Sequence, residues 1–298
     1  MLKYLLSVFF IYCAISVYGQ QPKKLKLPKN QTAVYTCAVY ENYWVDQSID
    51  SLKAVDKVVT CMKAEIAQDI LEMKRNFLQV DYLQKNFTRI DSIFKPDGTK
   101  DTSSNRGKTP LAKIILQYNR QGQYLSPSLA MQNPEYSQRD FKFFYNTAKQ
   151  LIFTLNNGKN EPIWTTQHTD TILNTGFELV YTYQRQWQYA GQVDTLGYTC
   201  TRVNYTSPAQ NYYAVNSVMK ALGIEMVHSG LAAIEGTMLV ETKTGRIIAI
   251  YESGAFIGNL DMKTPRDNHT WPCEYHYNKN FVLKELVKQP RKKIFGIF

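Results

Sequence analysis

The 298-residue chain carries 35 basic against 25 acidic residues, a formal charge of +10, and is 44% hydrophobic. That hydrophobic share is ordinary for a globular protein able to bury a core. The basic excess favours an anionic surface, such as lipid headgroups or polyanionic sugars. No helix-turn-helix, finger or aromatic RNA-binding motif accompanies it, so nucleic acid is excluded as the expected partner.

Residues 1–19 have the form of a secretory signal peptide. Lys3 gives a positive start, Leu5 to Val17 is almost wholly apolar, and Val17-Tyr18-Gly19 places small residues where a signal peptidase cuts. The apolar run falls short of the ~20 residues a spanning helix needs. Cys13 follows Tyr12 rather than a small residue, which argues against lipidation there. No later stretch is long and apolar enough for a transmembrane span, so the mature chain is expected to be exported: periplasmic, outer-membrane-associated or extracellular.

Residues 20–48 form an N-terminal segment. Its first ten are basic, proline-containing and expected to be flexible, and Thr32 to Trp44 has the β-branched and aromatic content of a first strand. Residues 49–95 read as a helical segment. They contain no Gly and no Pro up to Phe94, and Leu52, Val55, Val59, Met62, Ile66, Met73, Val80, Leu83, Phe87, Ile90 and Phe94 recur at spacings dominated by three and four. One helix of that length would run ~70 Å, so a break is expected near Asn76. Phe77 to Phe94 also has the composition to leave the helix for a strand. Residues 96–109 are polar and rich in turn formers, a linker or exposed loop.

Residues 110–298 read as an antiparallel β domain. Leu111 to Tyr118, the turn Asn119-Arg120-Gln121-Gly122 and a second short strand make a hairpin. Asp140 to Lys149 reads as a short helix and Leu151 to Leu155 as a strand. From Phe177 to Tyr189, large apolar residues alternate with polar ones, as in a sheet with one buried face. Gly191 to Leu196 turns the chain into Tyr198 to Thr206. Thr237 to Tyr251 is a hairpin around Lys243-Thr244-Gly245, and Phe281 to Val287 is a last strand. The expected fold is α+β: predominantly antiparallel β, a curved half-barrel or sandwich, with a long N-terminal helical segment packed against it.

Chemistry-bearing residues are sparse. With Cys13 removed in the leader, Cys37, Cys61, Cys200 and Cys273 can pair three ways; nearness in the chain favours Cys37–Cys61 and Cys200–Cys273, with buried thiols as the alternative. His168, His228, His269 and His276 each lie within three residues of a carboxylate. His269, Cys273 and His276 are weak metal candidates, because Pro272 breaks any regular helical spacing among them. No G-x-S-x-G elbow, βαβ unit or glycine-rich phosphate loop occurs, so no catalytic residue and no cofactor is implied. Four sequons, at Asn30, Asn86, Asn204 and Asn268, matter only in a eukaryotic secretory pathway. The 21 tyrosines suit a core with polar edges, or a groove for a sugar or an amphiphile.

Two segments together, Thr175-Gly176-Phe177 through Val203 and Gly236 through Ile248, resemble uncharacterised exported β-rich proteins of Bacteroidota, with the architecture of the lipoprotein carriers (LolA/LolB-like). The resemblance covers residues 110 to 260. It implies a curved antiparallel sheet with helices against its concave face, able to hold an acyl chain, and it assigns no site residues. The expected function is that of an exported, non-enzymatic envelope protein binding a lipid, another amphiphile or a partner protein. The alternatives are a secreted hydrolase, whose site would bring a histidine and carboxylates together, and a structural protein dimerising through the 49–95 helix.

Overall fold

The computed structural model describes residues 25–47, 57–95, 97–106, 112–132, 138–154, 161–174, 177–215 and 223–288. The signal-peptide segment and the basic run Arg291-Lys292-Lys293 lie outside them. From β1 (Gln31–Val45) the chain runs through β2 (Lys57–Met73), β3 (Phe77–Phe94), β4 (Lys100–Arg106), β5 (Ala112–Asn119) and β6 (Tyr124–Gln132). Helix α1 (Gln138–Gln150) follows. The return is β7 (Ile163–Asn174), β8 (Phe177–Thr195), β9 (Tyr198–Val215), β10 (Glu225–Glu241), β11 (Ile247–Lys263) and β12 (Asn268–Lys288).

All twelve strands belong to one antiparallel sheet, in the order β6-β5-β3-β2-β1-β12-β11-β10-β9-β8-β7, with β4 beside the second half of β3. The first and last strands pair at its centre, Tyr35 opposite Leu283 and Val45 opposite Cys273. The two edges, β6 and β7, are joined in sequence through α1. Pro127 in β6 suits an edge, where a missing N–H costs no ladder bond.

Side-chain alternation fixes which face is buried. Inward residues are Tyr35 and Cys37 of β1, Met62 and Ile66 of β2, Val80 and Tyr82 of β3, Ile114 and Leu116 of β5, Trp187 and Tyr189 of β8, and Phe281 of β12, all in one cluster. Strands from both edges share that cluster, so the sheet is curled. The described strands form one curled antiparallel sheet.

Helix α1 fills the concavity. Phe144 and Ala148 are fully buried, as are Leu151 and Phe153 just beyond them. Its first turn is pinned by Asp140, which accepts a hydrogen bond from Arg89 of β3 and one from Asn105 of β4 at 3.3 Å. Its last turn meets a polar belt across the sheet: Tyr118 donates to the Ala148 carbonyl (3.1 Å), and Gln68 to the Leu151 carbonyl (3.1 Å) and Tyr82 (3.2 Å). Tyr118 thus buries its ring while its hydroxyl satisfies a helix-end carbonyl, and Tyr82 links it to Gln68.

The expected long helix over 49–95 is overturned. Its described part is β2 and β3, paired with each other from Lys57–Phe94 to Met73–Leu78. Among the described residues the fold is β with one short helix, so the α+β class fails, and with it the stripe for a helical dimer. The strand alternative over Phe77 to Phe94 is what the structure shows, and the break at Asn76 falls in the β2–β3 turn. Two features gave the helical spacing. The inward set of β2 includes Thr60 and Gln68, which an apolar count passes over. In β3 a bulge at Asn86, with φ 49°, shifts the inward phase from Gln84 to Phe87, a step of three.

Three smaller expectations also change. Leu25 and Leu27, in the segment expected to be flexible, are buried in the core, and Lys26 N–H donates to the Thr244 carbonyl. The 96–109 linker contains β4. Residues 151–154 are not strand: they continue from α1 into the core, and Gly122 (φ 80°) fits against them where a Cβ would lie 2.0 Å from the Phe153 carbonyl oxygen.

Candidate functional site

Among the described residues the edges β6 and β7 do not pair, so the curled sheet has a seam, and a pocket of about 680 Å³ opens there. Its walls come from the β5–β6 turn and Tyr124, from Lys149, Gln150, Ile152 and Thr154 at the end of α1, and from Thr165 to His168 of β7. Its floor reaches Arg185 and Trp187 of β8 and Met238 of β10, each 3% exposed or less. The rim is polar and the floor is partly apolar and aromatic.

The aromatic wall is rigid. Trp187 stacks on Trp164 with ring centroids 6.0 Å apart and planes 8° apart, and Phe153 meets both edge-on. Trp187 donates its N–H to the Thr166 hydroxyl at 2.6 Å, and that hydroxyl lies 2.7 Å from His168 Nε2. His168 also stacks on Tyr183. The hydrolase alternative required carboxylates to converge on such a histidine; the described residues that line this pocket include no Asp or Glu.

Arg185 belongs to a buried charge group. Glu252 accepts from Arg185 (2.9 Å), Lys279 (2.8 Å), Tyr205 (2.9 Å) and Tyr277 (3.1 Å). Burial raises this carboxyl, but Lys279 and Arg185 outweigh that and hold it down at about 2. Glycines make room for the two phenols: a Cβ at Gly236 would lie 2.3 Å from the Tyr205 ring, and one at Gly254 2.2 Å from the Tyr277 ring. The alternation read over Phe177 to Tyr189 omitted Arg185. A charged residue at an inward position of the clearest strand is the signal that marks it, and Glu252 and Lys279 share that signal on β11 and β12.

The residues singled out from sequence do not converge. Cys273 is buried on the concave side, while His276, an odd number of residues on, projects from the other face and pairs with Glu274 at 3.3 Å. His269 stacks on Trp271 instead. Among the described residues, no three His, Cys, Asp or Glu side chains are placed to hold a metal. His228 is fully buried 3.1 Å from the Tyr43 hydroxyl, in a second apolar cluster with Phe256, Trp271 and Cys273 towards the far end of the strands.

The cysteine pairing is not met either: all four are free thiols. Cys37 is buried on the concave face while Cys61 is exposed on the other. Cys200 lies in β9 and Cys273 in β12, three strand spacings of ~4.8 Å apart and beyond disulfide reach. Burial pushes the Cys200 thiol up to about 11 and Cys273 up to about 12, which makes both unreactive.

No protein-family model and no curated protein matches the chain. A solved structure of lipid–protein interactions in lipovitellin is similar to it over 89% of this chain, with a TM-score of 0.50 and 8% identity. The match takes in 26% of that chain, so this protein spans about a quarter of its length. A mutant porin of Rh. blastica matches 83% of this chain and 99% of its own, at 9% identity and a TM-score of 0.22, too low to support any argument. What is shared with lipovitellin is the fold: a large, curled antiparallel sheet.

Proposed function

We propose that this protein binds an amphiphile in the seam pocket, as an exported, non-enzymatic envelope component. One observation carries the reading: the unpaired edges leave a lateral opening of about 680 Å³ that runs from a polar rim to buried Trp187 and Met238. Its volume falls in the ~300–1,000 Å³ range of small-molecule sites. An amphiphile can enter such an opening sideways, its polar end at the rim and its chain on the floor. The likeness in fold to lipovitellin, whose structure concerns lipid–protein interactions, agrees with this, and so does the carrier resemblance of residues 110 to 260. The leader-like residues 1–19 support the export part.

Native mass spectrometry of the folded chain with dodecanoate and with monododecanoylglycerol tests the reading. Wild type is expected to take up one molecule of at least one of them. Thr154→Trp, which fills the pocket from its wall, should abolish uptake with little change in melting temperature. No adduct on wild type, or equal adducts on both proteins, would overturn the proposal.

A further inference from the structure

We infer that the head group of the bound amphiphile is an anion, a carboxylate or a phosphate; this rests on reading the seam pocket as an amphiphile site. The described walls carry charge of one sign. Among the described residues that line the pocket, two are cations, Lys149 and Arg185, and none is an aspartate or glutamate. They reach it from different elements, Lys149 from the last turn of α1 and Arg185 from the inward face of β8.

Lys149 is the cation at the rim. Its ammonium lies 5.1 Å from the Tyr124 ring centre and 5.6 Å from that of Tyr145, and those two phenols are hydrogen-bonded to each other. Two ring faces hold the ammonium in place while leaving its charge unneutralised. Among the described residues it meets no carboxylate. A lysine in a last turn also favours the helix dipole, but that role needs neither the aromatic seat nor the pocket. Arg185 is 2% exposed, fixed by Glu252 and the Tyr183 hydroxyl (2.8 Å), and its guanidinium is sandwiched near Tyr205, 4.4 Å from that ring centre. Its position is therefore set before any ligand arrives.

The Gln150 side-chain oxygen at the wall is buried without a partner among the described residues. It is an acceptor, which a water or a hydroxyl answers and an oxyanion does not, so the preference for charge rests on Lys149 and Arg185. Cations brought from two elements to one pocket suit an oxyanion head, with which they can form charge-assisted hydrogen bonds that a neutral ester cannot match.

Three twelve-carbon probes test this: dodecanoate, dodecyl phosphate and neutral monododecanoylglycerol, titrated by calorimetry below their micellar concentrations. At least one anion should bind ten-fold or more tighter than the neutral ester, and the tighter of the two names the head group. Lys149→Gln should weaken the anions about five-fold or more, and Lys149→Glu further, each by a larger factor than it weakens the neutral ester. Added salt should weaken the anions alone. Equal affinities for all three probes, or equal losses on Lys149→Gln, would overturn the anionic head and leave the pocket standing. Binding of none would remove both.

Discussion

Glu252 and His228 lie on the concave faces of neighbouring strands, β11 and β10, and both are at most 5% exposed. Yet the fold keeps one charged and the other neutral. Glu252 has two cations and two phenols around it, and its carboxyl sits at about 2. His228 sits among Tyr43, Phe256 and other apolar side chains, and burial lowers it to about 4, against a weaker opposing pull from Asp261. A buried ion is kept where several donors replace its water; elsewhere the group gives up its charge. The charged region borders the seam and the neutral one does not, and the difference separates an electrostatically prepared site from a packed end of the barrel.

The largest effect should come from breaking the charged region. Glu252→Ala leaves the buried Arg185, and the partly buried Lys279, without their shared counter-ion, a loss of about 3–5 kcal/mol. Denaturant unfolding should show it as a much lower midpoint. Glu252→Gln, which retains hydrogen-bonding groups, should lose less. A midpoint unchanged in Glu252→Ala would mean that the group contributes no stability.

A smaller effect sharpens the contrast through pH. The folded pKa of His228, about 4, lies below its ordinary 6.5, so its contribution is complete above pH 6.5. It is lost as pH falls from 6.5 towards 4, because the unfolded chain takes up a proton that the folded one refuses, by about 3 kcal/mol in all. Glu252 is also a depressed group, but its window is lower, between 4.5 and about 2. Stability measured from pH 7.5 to 4 should therefore slope in wild type and flatten in His228→Gln. Equal slopes in the two proteins would place the titration elsewhere.

Sequence and structure part company where phase and distance matter. The antiparallel half was legible because Phe177 to Tyr189 alternates over many residues and Gly245 marks a turn, where it takes φ 74°. The β2–β3 pair was not, because Thr60, Gln68 and Gln84 face inward and a bulge at Asn86 resets the alternation. A local period cannot show that Gln68 will be satisfied by Tyr82 on the neighbouring strand and by the Leu151 carbonyl. The seam site was less legible still. His168 was noted for a neighbouring carboxylate, whereas its place in the pocket comes from β7 and β8 pairing Thr166 with Arg185. The clustered His269, Cys273 and His276 looked promising because they are close in the chain, but a strand separates odd from even positions onto opposite faces.

Hydrogen–deuterium exchange with and without dodecanoate tests most directly that the seam, and not the far end, takes the amphiphile. Slower exchange is expected in residues 149–154 and 163–168, with little change around Tyr43 and Trp271. Protection confined to the far cluster, or absent from the seam at saturating dodecanoate, would contradict it.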